Sequence, residues 1–519
     1  MPDVRQIVAF LLLAASAIHP SSADDQVVEI GSRRELFVDR TLIESLSGTA
    51  QLKLHHPEPR EIALQHDAPW EGSGSGYHSV FHDGDRYRMY YKAWHLEVGD
   101  GRVKTNTHPL YCCYAESDDG IHWTKPNLGL VEFNGSTANN IVLAPTVFGD
   151  VTSDPGHPAV FRDDNPTCPP EARYKAIIRS ARPHGLLVFQ SPDGLHWSLL
   201  HPEPVITAGA FDSQNLAFFD PNINAYRAYW RIFTAGTTDD KNWKPSGYRA
   251  IRTAVSTDLI HWDAWKDLTY VDSPPEELYT NAVKPYSRAP HLLLGFPVRY
   301  TDRGWTESMQ ALPEPEHRKE RSRASKRYGT AITETLLMAS RDGVHFHRWN
   351  EAFLPPGMER SGTWNYGHQY PAWHVVETPS DRYPGINELS FYATEGYWTG
   401  KGSVLRRYSL RLDGFVSARA SMKGGEILTK PITFRGSRLS LNFASSAAGD
   451  VRIELQDAAG QPIPGFTLED SVAAFGNSLD RTAIWKNGSD VSSLAGQPVR
   501  IRFALRDADL FAYQFTDAD

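Results

Sequence analysis

CYAESDDGIHW (113–123), VFQSPDGLHW (188–197), AVSTDLIHW (254–262) and MASRDGVHF (338–346) are four copies of one unit, and RYSLRLDGF (407–415) is a degenerate fifth. Each reads as an apolar alternating strand, a tight Asp-Gly-type turn, and a second strand opening on an aromatic, the pattern of a β-hairpin. A looser strand pair precedes each copy, within 76–94, 157–178, 213–233, 280–298 and 369–393. Five units of two hairpins, spaced 65 to 84 residues apart, predict a five-bladed β-propeller with four-stranded blades and long loops.

After Ser417 the repeat stops. RLSLNFA (438–444), DVRIELQDA (450–458) and VRIRFALRDADL (499–510) alternate strictly, and only Trp485 remains of the tryptophans. The fold expected is therefore all-β, a five-bladed β-propeller over 61–419 followed by a C-terminal β-sandwich over 420–519. Residues 24–60 are a lead-in, whose ELFVDRTLIE (35–44) forms strands that close the ring or brace the sandwich.

Composition agrees with short strands and turns: 14 Trp, 22 Tyr and 23 Phe stand beside 39 Gly and 35 Pro. With 53 basic and 62 acidic residues the net charge is −9, so no nucleic-acid partner is expected. Residues 1–23 read as a secretory signal peptide, with Arg5 before the apolar run Ile7–Ile18 and small residues Ser21 and Ala23 before Asp24. This predicts export to the periplasm or beyond. The run is too short for a comfortable membrane span, and no other stretch approaches one. Three cysteines, Cys112, Cys113 and Cys168, exclude a full disulfide framework, and no Cys/His zinc spacing exists. Neither metal nor cofactor is expected.

The loops joining the second and third strands of each blade, and those entering each first strand, are long, and antiparallel geometry puts both sets at one end. Acids at the opposite turns, Asp83, Asp163, Asp164 and Asp220, read as turn formers. At the working end stand Glu71, Asp154 with His157, Asp212, Glu277 and His368. Glycosidic cleavage needs one carboxyl to protonate the leaving oxygen and a second to attack, stabilise or activate water. Asp212 is the expected general acid, with Glu71 and Glu277 as nucleophile or base and pKa modulator. Trp70, Trp94, His157, Arg231, Tyr279, His368 and Gln369 are the expected sugar-binding residues. The basic stretch HRKERSRASKR (317–327) is either a clamp for an anionic sugar or a solvated loop.

The repeated hairpins, WEGSGSGYHSVF (70–81), RYRMYYKAWH (86–95) and the terminal strands resemble secreted bacterial proteins related to glycoside hydrolase families 32, 43 and 68. That resemblance implies the five-bladed propeller and, as in family 32, a sandwich. It also places Glu71 where the nucleophile stands, Asp154 or His157 at the stabiliser and Asp212 at the acid/base. The signature triplets differ: WEGSGSG, DPGHP and FDSQN replace the family's WMNDPNG, RDP and Glu-Cys. The turns are also similar to the Asp-boxes of sialidases, one residue shorter between Asp and Gly. The function expected is an exported glycosidase acting on a neutral or anionic glycan, or, with the triplets absent, a carbohydrate-binding propeller without catalysis.

Overall fold

The computed structural model describes residues 27–105, 107–239 and 242–517, so the expected signal peptide lies outside the described residues. Five sheets form the blades of a β-propeller, antiparallel except where Thr269–Val271 pairs parallel with His345–Arg348 at the edge of the fourth. Their inner strands begin at Gly76, Val151, Leu216, Lys284 and Val376. The first blade shows why these strands form. In Tyr87–Ala93, alternation sends Met89, Tyr91 and Ala93 to one face and Tyr90 and Lys92 to the other, and all five are buried. Both faces of a blade pack on neighbours, so polar outward positions are few.

The repeated turns share one hydrogen-bond scheme. In the first, Ser117 Oγ accepts from the N–H groups of Asp119 and Gly120, and Asp119 Oδ1 accepts from those of Ile121 and His122, at 2.8 to 3.2 Å. His122 Nδ1 lies 2.7 Å from Asp119 Oδ2. The same contacts recur at Ser191–Asp193, Ser256–Asp258 and Ser340–Asp342. The third copy has Leu259 where the others have glycine, at a left-handed φ of 67° against 73° to 81° for the glycines, and its side chain is 1% exposed in the core.

Burial opposes ionisation of these aspartates, but the histidine and backbone N–H groups outweigh it. Asp119, Asp193 and Asp258 sit well below the usual carboxylate range and Asp342 at about 2. Folded values below the unfolded one mean stability that is complete above roughly pH 4 and lost as pH falls through the folded values. The thermal midpoint should fall between about pH 4 and pH 2, and replacing all four aspartates by Asn should flatten that drop. An unchanged acid limb in the quadruple variant would contradict this.

Two boundaries differ from the sequence pattern. RYSLRLDGF does not make a fifth hairpin: the third strand of blade five, Val404–Arg411, pairs instead with Glu58–Gln65 from the N-terminal side. This closes the ring, so the strand needed for closure comes from 58–65 and not from 35–44. The lead-in in turn belongs to the C-terminal part. Val28–Gly31, Arg34–Leu36, Ile43–Gly48 and Gln51–Leu54 join one ten-stranded sheet with the strands after Val416. That sheet doubles back on itself. Phe503 and Tyr513 lie on one strand, yet their ring centroids are 5.4 Å apart, where a straight strand would separate them by about 33 Å. Arg341 ties the lead-in to blade four, at 2.9 Å from both Glu35 and Asp39. No helix of the described residues is long and apolar enough to cross a membrane.

Candidate functional site

Both sets of long loops face one cavity of about 540 Å³ at one mouth of the propeller. Blade one contributes Tyr77, Lys92 and Trp94; blade two Asp154, His157, Arg179 and His184; and blade three Phe211, Asp212, Asp239 and Trp243. Blades four and five add Tyr279, Tyr328, Tyr366, Tyr397 and Trp398. At the opposite mouth, Phe81, Lys284, Phe296 and His374 line a cavity of about 450 Å³. The aspartates there are turn formers: Asp83, Asp163 and Asp220 each accept a backbone N–H from two residues on.

Local sequence explains how the acids reach the working cavity. Asp154 sits at a large bulge: it pairs with Arg179 and the next registered pair is Ala159 with Ile177, so Pro155–Pro158 is extruded. Gly156 permits that bulge, since a Cβ there would lie 2.1 Å from Leu110 Cδ2. Asp154 Oδ2 is 3.1 Å from Arg179 and 3.5 Å from His157 Nδ1. Burial works against its charge, but His157, Arg179 and the Gly156 N–H hold its carboxyl at about 2. His157, buried, is pushed down to about 4 despite Asp154 and is neutral near pH 7.

Asp212 is held by a pinned loop. Gln214 Nε2 donates to the carbonyls of Tyr77 and Pro158, both at 3.0 Å, and Asn215 Nδ2 donates to Ser213 O at 2.7 Å. The Asp212 side chain is 47% exposed and pairs with Arg231. Arg231 in turn lies 4.7 Å and Arg249 5.3 Å from the Tyr279 ring centre. Burial pushes the Tyr279 phenol up, but Arg231, Arg249 and a hydrogen bond donated by Tyr366 (2.9 Å) bring it below its ordinary value. Tyr77, Tyr279, Tyr366, Tyr370 and Tyr397 form one aromatic floor with neighbouring ring centres 5.5 to 6.2 Å apart.

Of the expected residues, Asp212, Trp94, His157 and Tyr279 line this cavity, and Arg231 stands behind Asp212. Glu71 does not join them. It is fully buried, and its carboxylate accepts from Tyr91 Oη (2.6 Å), the Ala68 N–H (2.8 Å) and Lys125 (2.7 Å). Glu277 pairs with Arg249 outside the lining. Trp70 is turned into blade one, donating to Asn140 Oδ1 at 2.7 Å and packing edge-on against Phe133. His368 is fully buried and takes the Trp364 N–H at 3.0 Å; Gln369 donates to Pro355 O at 2.9 Å. Both are spent on the backbone of blade five.

The basic stretch is not a loop, and two of its arginines are buried while Lys319, Arg323, Lys326 and Arg327 stay exposed. It forms the helices Pro315–Ala324 and Lys326–Thr330, with Arg318 and Arg321 each 1% exposed. Arg318 donates to the carbonyls of Pro313 (2.8 Å), Thr363 (3.2 Å) and Trp364 (2.7 Å), and Arg321 to that of Trp398 (3.4 Å). These arginines anchor the rim. Sequence reasoning missed Lys92, Asp239 and, apart from Tyr279, the tyrosine floor. Lys92 carried one signal: a cation set deep in an aromatic strand, between Tyr91 and Trp94 in YRMYYKAW.

Neither a family model nor a curated protein matches the chain. Solved structures do. A glycoside hydrolase superposes with a TM-score of 0.42 at 14% identity, over 69% of this chain and 92% of the hydrolase. An N-acetylgalactosamine deacetylase from F. plautii in complex with blood group B trisaccharide gives 0.40 at 12% identity, over 69% and 94%. An endo-arabinase from Bacteroides thetaiotaomicron gives 0.36 at 9% identity, over 68% and 98%. Glycoside hydrolases recur among these matches, and each is a structure that this chain resembles in part.

Proposed function

We propose that the chain is a glycan-cleaving enzyme whose reaction takes place in the 540 Å³ cavity, with Asp212 and Asp154 as its working carboxylates. The observation that carries this reading is the pairing of two acids from adjacent blades with a floor of tyrosines. Tyr and Trp faces suit the apolar faces of sugar rings, while carboxylates and imidazoles suit their hydroxyls. Asp154, held at about 2, stays ionised at any working pH and fits the role that attacks or stabilises an oxocarbenium-like centre. Asp212, half-exposed, reaches the cavity from the adjacent blade and fits proton transfer to the leaving oxygen.

The test is a panel of plant, algal and bacterial glycans scored for both retention and reducing-end release. Release that Asp212→Asn abolishes supports the enzyme. Retention without product from any member would instead make this a carbohydrate-binding propeller. No retention and no product would sink the glycan reading altogether.

A further inference from the structure

One charge in the cavity has no part in that chemistry. Lys92 is 1% exposed, and its Nζ donates to Tyr397 Oη at 2.9 Å. The rings of Tyr77, Trp94 and Tyr397 stand 4.5, 4.9 and 5.1 Å from that nitrogen. Every other cation of the site has a carboxylate: Arg179 has Asp154, Arg231 has Asp212 and Arg249 has Glu277. Among the described residues, none comes within ion-pair distance of Lys92.

Magnitudes make this a conspicuous arrangement. Burying an ammonium costs more than cation–π contacts return. A methionine on the same strand would fill the space without that cost. Lys92 and the three rings around its nitrogen all line the cavity, so an anion entering that space from solution would meet this charge.

We propose that the cavity selects an acidic sugar, one carrying a carboxylate or a sulfate, and that Lys92 is the counter-ion of that group. This rests on the glycan reading above and narrows it. Asp154 attracts Lys92 from beyond ion-pair distance, and no group facing Lys92 pairs with it. Tyr77 and Tyr397 are pushed up by burial and stay neutral, and His78 and His157 are pushed down by burial and stay neutral. Asp154 is committed to Arg179 and His157. Burial holds Lys92 itself at about 7, so it is partly deprotonated when the cavity is empty. An anion beside it raises that value. Binding must therefore take up a proton above neutral pH, and affinity must fall as pH rises through 7.

Calorimetry on the full chain with matched pairs tests this. One pair is trigalacturonic acid and its methyl ester; the other is a κ-carrageenan oligosaccharide and its desulfated form. The acidic member of at least one pair should bind about tenfold tighter than its neutral mate at about pH 6, as a charge-assisted contact requires. Which pair responds distinguishes carboxylate from sulfate. Lys92→Met should erase the preference without lowering the thermal midpoint. Lys92→Arg should keep it while abolishing proton uptake at about pH 8, since Arg does not titrate there. Equal affinity within both pairs, a preference that survives Lys92→Met, or no binding of any acidic member would overturn the proposal. Neutral glycans cut as well as acidic ones would overturn it and leave the cleavage reading standing. Loss of both would show only when no glycan of either kind is bound or cut.

Discussion

Asp212→Asn is expected to lower turnover at least a hundredfold on the glycan that the panel identifies, with KM changed by less than about threefold, as loss of a proton-transfer group does. The amide keeps the shape of the pinned Phe211–Asn215 loop, because Gln214 and Asn215 hold it without the carboxylate. It removes the ionisable proton and leaves Arg231 without its anion. Asp154→Asn should cost as much by a different route, taking away the fixed negative charge that His157 and Arg179 hold at the bulge. Glu71→Gln is the contrast. Its carboxylate is consumed by Tyr91, Ala68 and Lys125, so turnover should stay within about threefold while stability falls, since a buried group loses its charged partner. Steady-state kinetics beside thermal midpoints separate the two outcomes. If Asp212→Asn and Asp154→Asn both turn over at the wild-type rate, the two-carboxylate assignment is wrong.

The contrast between Asp212 and Glu71 also shows how far a sequence reading reaches here. Hairpin repeats are local, so the blade count and the identity of the working loops follow from turns such as Asp119-Gly120 and Asp193-Gly194, whose hydrogen bonds close within six residues. Side-chain direction inside an irregular loop is not local. Glu71 and Asp212 both precede a first strand, but Tyr91 and Lys125 draw one inward, whereas Gln214 reaches across to Tyr77 and Pro158 and leaves the other facing the cavity. Trp70 is drawn away by Asn140, seventy residues on. Strand closure is the least local step of all. Glu58–Gln65 pairs with Val404–Arg411 across most of the chain, and nothing in the alternation of either strand names the other. Arg318 and Arg321 mislead for a related reason: a run of charges looks solvated until the carbonyls that it caps are seen.

Arg407→Met should destabilise the protein by about 3–5 kcal/mol, the cost of breaking a buried ion cluster from one side. The guanidinium is fully buried and joins three acids from different segments. It meets Glu61 on the closing strand at 2.5 Å, Glu388 on the second strand of blade five at 2.9 Å, and Asp381 at the turn between that strand and the first at 3.5 Å. Ser390 Oγ accepts from it at 3.1 Å. Methionine fills similar volume but leaves Glu388, 8% exposed, without that charge and loosens the side-chain tie from blade five to Glu61. Glu61→Gln is milder, at about 1 kcal/mol, because that side chain is 41% exposed and its ion pair is screened. Urea unfolding should therefore rank wild type above Glu61→Gln above Arg407→Met, with the last losing a large fraction of a total of roughly 5–15 kcal/mol. Turnover at 25 °C should be unaffected in the fraction that stays folded, since no member of this cluster lines the cavity. A loss under about 1 kcal/mol for Arg407→Met would mean that the backbone ladder of Glu58–Gln65 alone holds the ring shut, with the buried cluster contributing no more than an exposed pair does.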